Sequence, residues 1–376
     1  MTTDATLVYD PRRAVPLVTT EIRDTRPEMD QTRGSTAELS EAPQTTPTQT
    51  TALGGRNRTL LGRIFSVDEL GPLLALVVLV VVIGSFHSRF LDGDVVVNTI
   101  RSACFVGIVA YAMVYLLAMT EIDLSVGGTY AIAIILAAEW MSAIGPWLAA
   151  LLAIVVAVAL GALNGVLANV FRIPVILITL GTFSAYRGLV QVITGGRPAS
   201  GLPLDSSFFS VLGENWLGVP VAAWAALTLG VILTFVFKKT RFGAMVRATG
   251  SNHQAAEFSG IPVRRIRLYG LMLTGGLAGV AGILSLAYYQ GADPAVGVGF
   301  EMQVIAAAII GGTAISGGTG TVPGALIGAL IVAVINSGLV FFSVDPNWTL
   351  FVTGAVVVVA VCSDAVLRRR RERRAK

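Results

Sequence analysis

The chain has 376 residues, 54% of them hydrophobic and only 13% charged, with a net charge of +4. Too few polar side chains are present to cover a water-soluble globule of this length, which excludes a soluble enzyme or binding module and leaves a polytopic membrane protein. Two histidines and two cysteines give no clustered metal ligands, nucleophile or disulfide framework, so neither a cofactor nor a metal is expected.

Residues 1–68 are rich in Thr, Pro, Gln, Arg and Glu, as in the run Glu41 to Thr50. Such a segment buries too little to offset its ordering entropy and is expected to be a disordered polar cytoplasmic tail. It lacks the basic start, apolar middle and small-residue cleavage pattern of a secretory signal.

From 69 to 367 the chain reads as a transmembrane domain with about ten crossings. Plain apolar runs cover Leu70–Phe86, Pro146–Val170, Gly218–Phe237 and Trp348–Leu367. Runs with polar or glycine interruptions cover Val97–Met119, Val126–Ile144, Pro174–Thr194 and Arg267–Tyr289. The remaining two, Glu301–Ile315 and Val322–Phe342, flank a stretch from Gly311 to Thr321 that is too glycine-rich for a plain helix, so the first of them is a candidate broken or re-entrant segment. Ten crossings with a cytoplasmic amino terminus leave only Arg89, Arg101, Arg187 and Arg197, out of 27 Lys and Arg, off the inner side. Both termini, including the basic tail 368–376, are therefore expected in the cytoplasm.

Acids near the spans are Glu121, Asp123, Glu139, Asp293 and Glu301. All are read as interfacial or facing a watery cavity, because a charge at the bilayer centre costs about 2.5–3.5 kcal/mol. An ion relay would need paired acids inside the spans, and no such set is evident. Glycines four apart, Gly161 with Gly165, Gly275 with Gly279, and Gly320, Gly324 and Gly328, are expected to let helices approach closely. Cys104 and Cys362 are read as small core residues.

The one long polar and basic interruption lies within the insert 238–267, most densely from Arg247 to Arg267. Within it Asn252 to Ser259 has helical composition, Ser251 or Asn252 can cap its start, and Gly260 with Pro262 ends it. No glycine-rich turn precedes any of Lys238, Lys239 or Lys376, so the chain has no phosphate-cradling loop of its own.

Four stretches then act together: Glu121-Ile-Asp-Leu-Ser-Val-Gly-Gly128, Arg172-Ile-Pro through Arg187-Gly188, the insert from Gly243 to Val263, and Gly311 to Ala325 with Asn336-Ser-Gly-Leu339 beyond it. Spread in order over most of the chain, they resemble the inner-membrane permease subunit of ribose-type (monosaccharide) ABC importers. Glu121 stands where that family commonly has Gly, and the polar amino-terminal tail is longer than usual. The resemblance implies an all-α, type II ABC importer-like permease fold with ten helices per subunit. It also implies a second permease copy forming a homodimer with the pathway between the copies, a separate ABC ATPase below, an extracytoplasmic sugar-binding protein above and surrounding membrane lipid, with no nucleic-acid partner.

On that likeness the insert supplies a short coupling helix. Ala255 and Ala256 would seat in an ATPase groove, Glu257 would offer a charged contact, and Asn252, Ser259 and Gly260 would shape the helix ends, with Arg247, Arg264 and Arg265 near acidic lipid or partner surface. Candidate pathway-lining residues are Asn164, Thr179, Thr182, Gln191 and Asn336, chosen because they are polar within spans. The outer loop from Gly195 to Gly218, with Arg197, Asp205 and Glu214, is a dock for the binding protein or a cover over the pathway mouth. Two rival functions stay open: a branched-chain amino-acid ABC permease, and an ion-coupled secondary transporter that would leave the polar insert idle.

Overall fold

A computed structural model describes residues 67–345 and 348–375. All but the last two residues of the expected polar tail lie outside that range. Among the described residues the regular structure is helical, apart from a two-residue antiparallel ladder of β1 (Asn215–Trp216) and β2 (Val219–Pro220). Eight helices are long and apolar enough to cross a bilayer. They are α1 (Val67–Phe86), α2 (Gly93–Ala118), α3 (Val126–Ile144), α4 (Pro146–Phe171), α5 (Val175–Thr194), α7 (Val221–Lys239), α10 (Val263–Tyr289) and α12 (Val322–Phe341). Four helices are short: α6 (Ser207–Gly213), α8 (Arg241–Ser251), α9 (His253–Phe258) and α11 (Phe300–Ile310). The last, α13 (Trp348–Ala375), has an apolar stretch from Trp348 to Val359, and its helical backbone continues through most of the expected basic tail.

The chain is a polytopic membrane protein, and burial shows how its helices are layered. Nearly all of α2 from Ala103 to Ala118 is enclosed, as is most of α10, whereas α1 and α5 present long exposed apolar faces. Two tyrosines anchor α2 to α7: Tyr111 donates to the Ala226 carbonyl at 3.1 Å and Tyr115 to the Leu233 carbonyl at 2.5 Å. Both side chains are buried, and each hydroxyl finds an acceptor, as a buried phenol requires.

Glycine sets the closest helix approaches. On α4, a Cβ at Gly161 would strike the Leu271 carbonyl oxygen of α10, and one at Gly165 would meet Leu268. From the other side, a Cβ at Gly275 would strike the Ala157 carbonyl oxygen, and one at Gly279 would crowd Ala157 and Ile154. Gly324 and Gly328 of α12 sit in the same way against the carbonyls of Gly311 and Ala307. Dispersion between closely packed backbones replaces the hydrophobic drive that lipid does not supply.

The eighth of the expected crossings is broken. At 11 residues α11 is about 16 Å long, roughly half of a ~30 Å hydrocarbon core. Beyond Ile310 the glycine-rich stretch returns as non-helical backbone held within the protein, where the Gly318 amide donates to the Ala118 carbonyl at 2.9 Å. Irregular backbone at this depth is tolerated only where protein satisfies it. Thr321 then caps α12, accepting from the Gly324 amide at 3.2 Å.

Loops cluster at two ends. At one end, Ala118, Thr120, Gly250, Gly317 and Gly318 are mutual neighbours, with the turn from Arg172 to Pro174 beside them near α9. At the other, His87 meets the Phe342 ring at 4.7 Å, Ala199 bonds Ala292 at 2.9 Å, and Arg101 donates to Asn215 at 2.6 Å. Cys104 is buried, as its core reading requires, but Cys362 lies on an exposed face of α13.

Candidate functional site

The end of the molecule that carries α8 and α9 gathers the polar chemistry. The insert is not a single short helix but two. Thr240 caps α8 by accepting from the Gly243 amide, and Asn252 caps α9 by accepting from the Ala255 amide at 3.0 Å. Ser259 is the residue after α9, and Gly260, with φ at +77°, turns the chain toward α10. The two helices form a projection fastened to the core at Gly250, where a Cβ would collide with the Ala118 carbonyl oxygen and lie 2.8 Å from the Gly318 amide nitrogen. Movement of the projection is thereby tied to the end of the central helix α2 and to the glycine-rich stretch.

Side-chain directions on α9 differ from the sequence expectation. Ala256, expected to seat in a partner's groove, is turned inward at 4% exposure because the helix needs a small residue against its own protein. Asn252, Ala255, Glu257, Ser259 and Gly260 are exposed, and so is Phe258 at 92%, a side chain the sequence reading passed over. A bulky aromatic at the end of a polar insert was the available signal. Arg247, expected at a surface, instead donates to the Phe237 carbonyl and sits 5.2 Å from that ring centroid, pinning α8 to the end of α7. Arg264 and Arg265 are exposed on the first turn of α10, which starts four residues earlier than predicted.

Behind the projection two acids hold the segment between α2 and α3. Glu121 forms an ion pair with Arg267 of α10 at 2.7 Å, the two side chains being 16% and 19% exposed. Burial pushes the Glu121 carboxyl above its ordinary value, and the Arg267 guanidinium opposes that rise. Asp123 is only 1% exposed, not at an interface or watery cavity as expected. Its Oδ1 accepts from the Ser125 amide at 2.8 Å and hydroxyl at 2.6 Å, and its Oδ2 from the Thr274 hydroxyl at 2.9 Å. Among the described residues no cation touches it; hydroxyl and amide donors satisfy it instead.

That network includes one of the expected pathway residues, Asn164, and a second, Thr179, lies beside it. Asn164 donates to the Ser125 hydroxyl at 2.8 Å and accepts from the Tyr186 hydroxyl at 3.2 Å, while Thr179 reaches the Ile122 carbonyl at 3.3 Å. Both are fully enclosed, so neither faces an open route in this structure. Thr182 is half-buried beside Thr179, and Gln191 is exposed near the far end of α5. Asn336 lies apart on α12 with its Oδ1 unpartnered, beside Thr353 of α13. Glu301 is also buried rather than interfacial, close against Gly127. At the opposite end Arg197, Asp205 and Glu214 are all exposed, on a connection that contains α6 and the β1–β2 ladder rather than an open loop.

Eight long apolar helices, a ninth broken by glycine and a capped two-helix projection tied to the core define a multi-pass membrane permease. The family described as "Branched-chain amino acid transport system / permease component" matches residues 95–361. The chain is 35% identical to the ribose import permease of Bacillus subtilis, over 79% of this chain and 93% of that protein. It is 33% identical to the D-allose transport system permease of Escherichia coli, over 80% of this chain and 92% of that one. It is also 33% identical to the autoinducer 2 import system permease of Salmonella typhi, over 80% of this chain and 86% of that one. No solved structure matches the chain. The chain belongs to this family of ABC transport permease components.

Proposed function

We propose that the chain is the membrane-spanning permease of an ABC importer for a monosaccharide or related polyol, driven by a separate ATPase and fed by an extracytoplasmic sugar-binding protein. The observation that carries this reading is the fastened α8–α9 projection on a chain whose relatives are import permeases named for ribose, allose and autoinducer 2. Both termini and the projection lie in the cytoplasm, in accord with the Lys and Arg distribution. Two copies stand side by side with the route between them.

In this mechanism, ATP-driven closure of the ATPase pair pushes on α9 of each copy through its outward residues Asn252, Ala255, Glu257 and Phe258. The load passes through Gly250 to α2 and the glycine-rich stretch, and closely packed helices tilt as rigid bodies to switch the route from one side to the other. Thr182, Gln191 and Asn336 are the candidates for lining that route, with Asn164 and Thr179 joining it only if their network opens. Arg197, Asp205 and Glu214 are positioned to meet the binding protein.

The family's description as a branched-chain amino-acid permease component favours a second reading, a branched-chain amino-acid substrate. Proteoliposomes containing the permease, its ATPase and its binding protein separate the two by ATP-dependent uptake of labelled ribose, allose or leucine. Uphill uptake by the permease alone would overturn the coupled reading altogether.

A further inference from the structure

A cleft of about 390 Å³ between α4, α9 and α10 carries more positive charge than its own chain neutralises. Its inner part is settled, because Arg267 is paired with Glu121 and the Glu121 carboxylate also accepts from the Val175 amide at the start of α5. Glu257 faces His253 at 3.7 Å. The other two guanidinium groups of the lining, Arg172 and Arg264, are exposed and have no acceptor among the described residues.

Both are held where the backbone opposes them. Arg172 ends α4 with φ at +56°, a left-handed conformation that glycine or asparagine ordinarily takes. Arg264 sits in the first turn of α10, where the amino-terminal end of the helix dipole disfavours a cation. An anion between them would offset the second cost and give the first a purpose. The surroundings select the source of that anion: Val170, Phe171, Ile173 and Leu177, next to Arg172 at the ends of two membrane spans, are all exposed and apolar.

We propose that the cleft binds the phosphate headgroup of an anionic phospholipid, with Arg172 and Arg264 on the phosphate and an acyl chain along the exposed apolar residues of α4 and α5. A free phosphate shares the headgroup chemistry but makes no use of the apolar flank. The inference rests on the membrane reading of the fold and on the proposed orientation only for the leaflet, so an uptake assay that fails leaves it standing.

The test is native mass spectrometry of the full chain, delipidated in detergent and titrated with phosphatidylglycerol, phosphatidylcholine or inorganic phosphate. One phosphatidylglycerol per chain should survive gentle activation. The double variant Arg172→Ala/Arg264→Ala should weaken its retention about thirty-fold, as expected for two guanidinium groups at an anionic surface. Arg89→Ala, exposed at the opposite end of the molecule, should leave retention unchanged. Should the double variant fold poorly, photoactivatable phosphatidylglycerol on the wild-type chain should cross-link to the peptide holding Phe171 and Arg172. Equal retention of phosphatidylcholine, unchanged retention by the double variant, or cross-linking confined to other segments overturns the proposal. Displacement by millimolar phosphate overturns the lipid assignment in favour of a soluble anion.

Discussion

Gly161 of α4 and Gly275 of α10 face each other so closely that a Cβ built on either would lie 3.2–3.3 Å from the other's Cα and strike a carbonyl oxygen of the opposing helix. The obstacle is backbone on both sides, so neither helix can yield by a rotamer change. Gly275→Ala is expected to cost about 1–3 kcal/mol, the usual range for overpacking, and Gly275→Leu to prevent recovery of folded protein. Size-exclusion profiles and melting temperatures in detergent check this, with Gly188→Ala on the open face of α5 as the control, since a Cβ there meets nothing.

Asp123 makes a different kind of demand. Replacing it with Ala strands the Ser125 amide and hydroxyl in the protein interior, while the Thr274 hydroxyl keeps the Leu271 carbonyl at 2.9 Å as acceptor; an unsatisfied buried donor costs about 1–3 kcal/mol. Asp123→Ala should therefore lower stability by about 3 kcal/mol, while Thr274→Val, which removes one donor and leaves one carboxylate oxygen less served, should lower it by about 1 kcal/mol. Asp123→Asn keeps the volume but points an amide donor at other donors, and should fall between the two. Thermal unfolding of the three variants checks the ranking.

Hydropathy and glycine spacing made the long spans, the interrupted eighth segment and the packing role of Gly161 and Gly275 legible in the sequence, because each is a local pattern with a direct physical reading, but not that these two glycines face each other. Side-chain direction was not legible. Ala255 and Ala256 are adjacent and chemically identical, yet the twist of a six-residue helix exposes one and buries the other. The pairing of Glu121 with Arg267 and the cluster around Asp123 join residues well over a hundred positions apart, and no single-sequence pattern reports such contacts. Asn164 and Thr179, chosen for polarity within spans, make their hydrogen bonds inside the subunit, and polarity alone does not report such partners.

Phe258 and Ala256, two residues apart on α9, should respond oppositely. Phe258 is almost wholly exposed, so Phe258→Ala should leave the melting temperature unchanged. If α9 is the ATPase contact, an exposed aromatic anchor is worth about 2 kcal/mol, and the variant should bind the ATPase about thirty-fold more weakly. Ala256→Glu places a charge against the protein's own packing and should lower the melting temperature before any partner is added. Pull-down with the ATPase and melting of the permease alone separate the effects; ATPase binding undiminished by Phe258→Ala would remove α9 from the contact.

The Glu121–Arg267 pair should give the protein a pH signature. Burial raises the Glu121 carboxyl from its usual 4.5, and Arg267 opposes the shift. A raised value means that the folded state holds the proton more tightly than the unfolded chain, so this group's contribution is complete below the unfolded value and is lost as pH rises through the folded one. Arg267→Ala removes the opposing charge, lifts the carboxyl further and makes the total loss larger. At pH 8 the variant should be less stable than wild type by about 2 kcal/mol, below the range for a fully buried pair because water reaches part of this one. At pH 5 the difference should shrink, since protonation spares the fold an unpaired charge. Adding Glu121→Gln to Arg267→Ala should close the gap between the two pH values, because no titrating carboxyl then remains at that position. Melting temperatures of wild type, single and double variants at both pH values test it, and an Arg267→Ala variant with no pH dependence beyond wild type would show that Glu121 finds another partner once its arginine is gone.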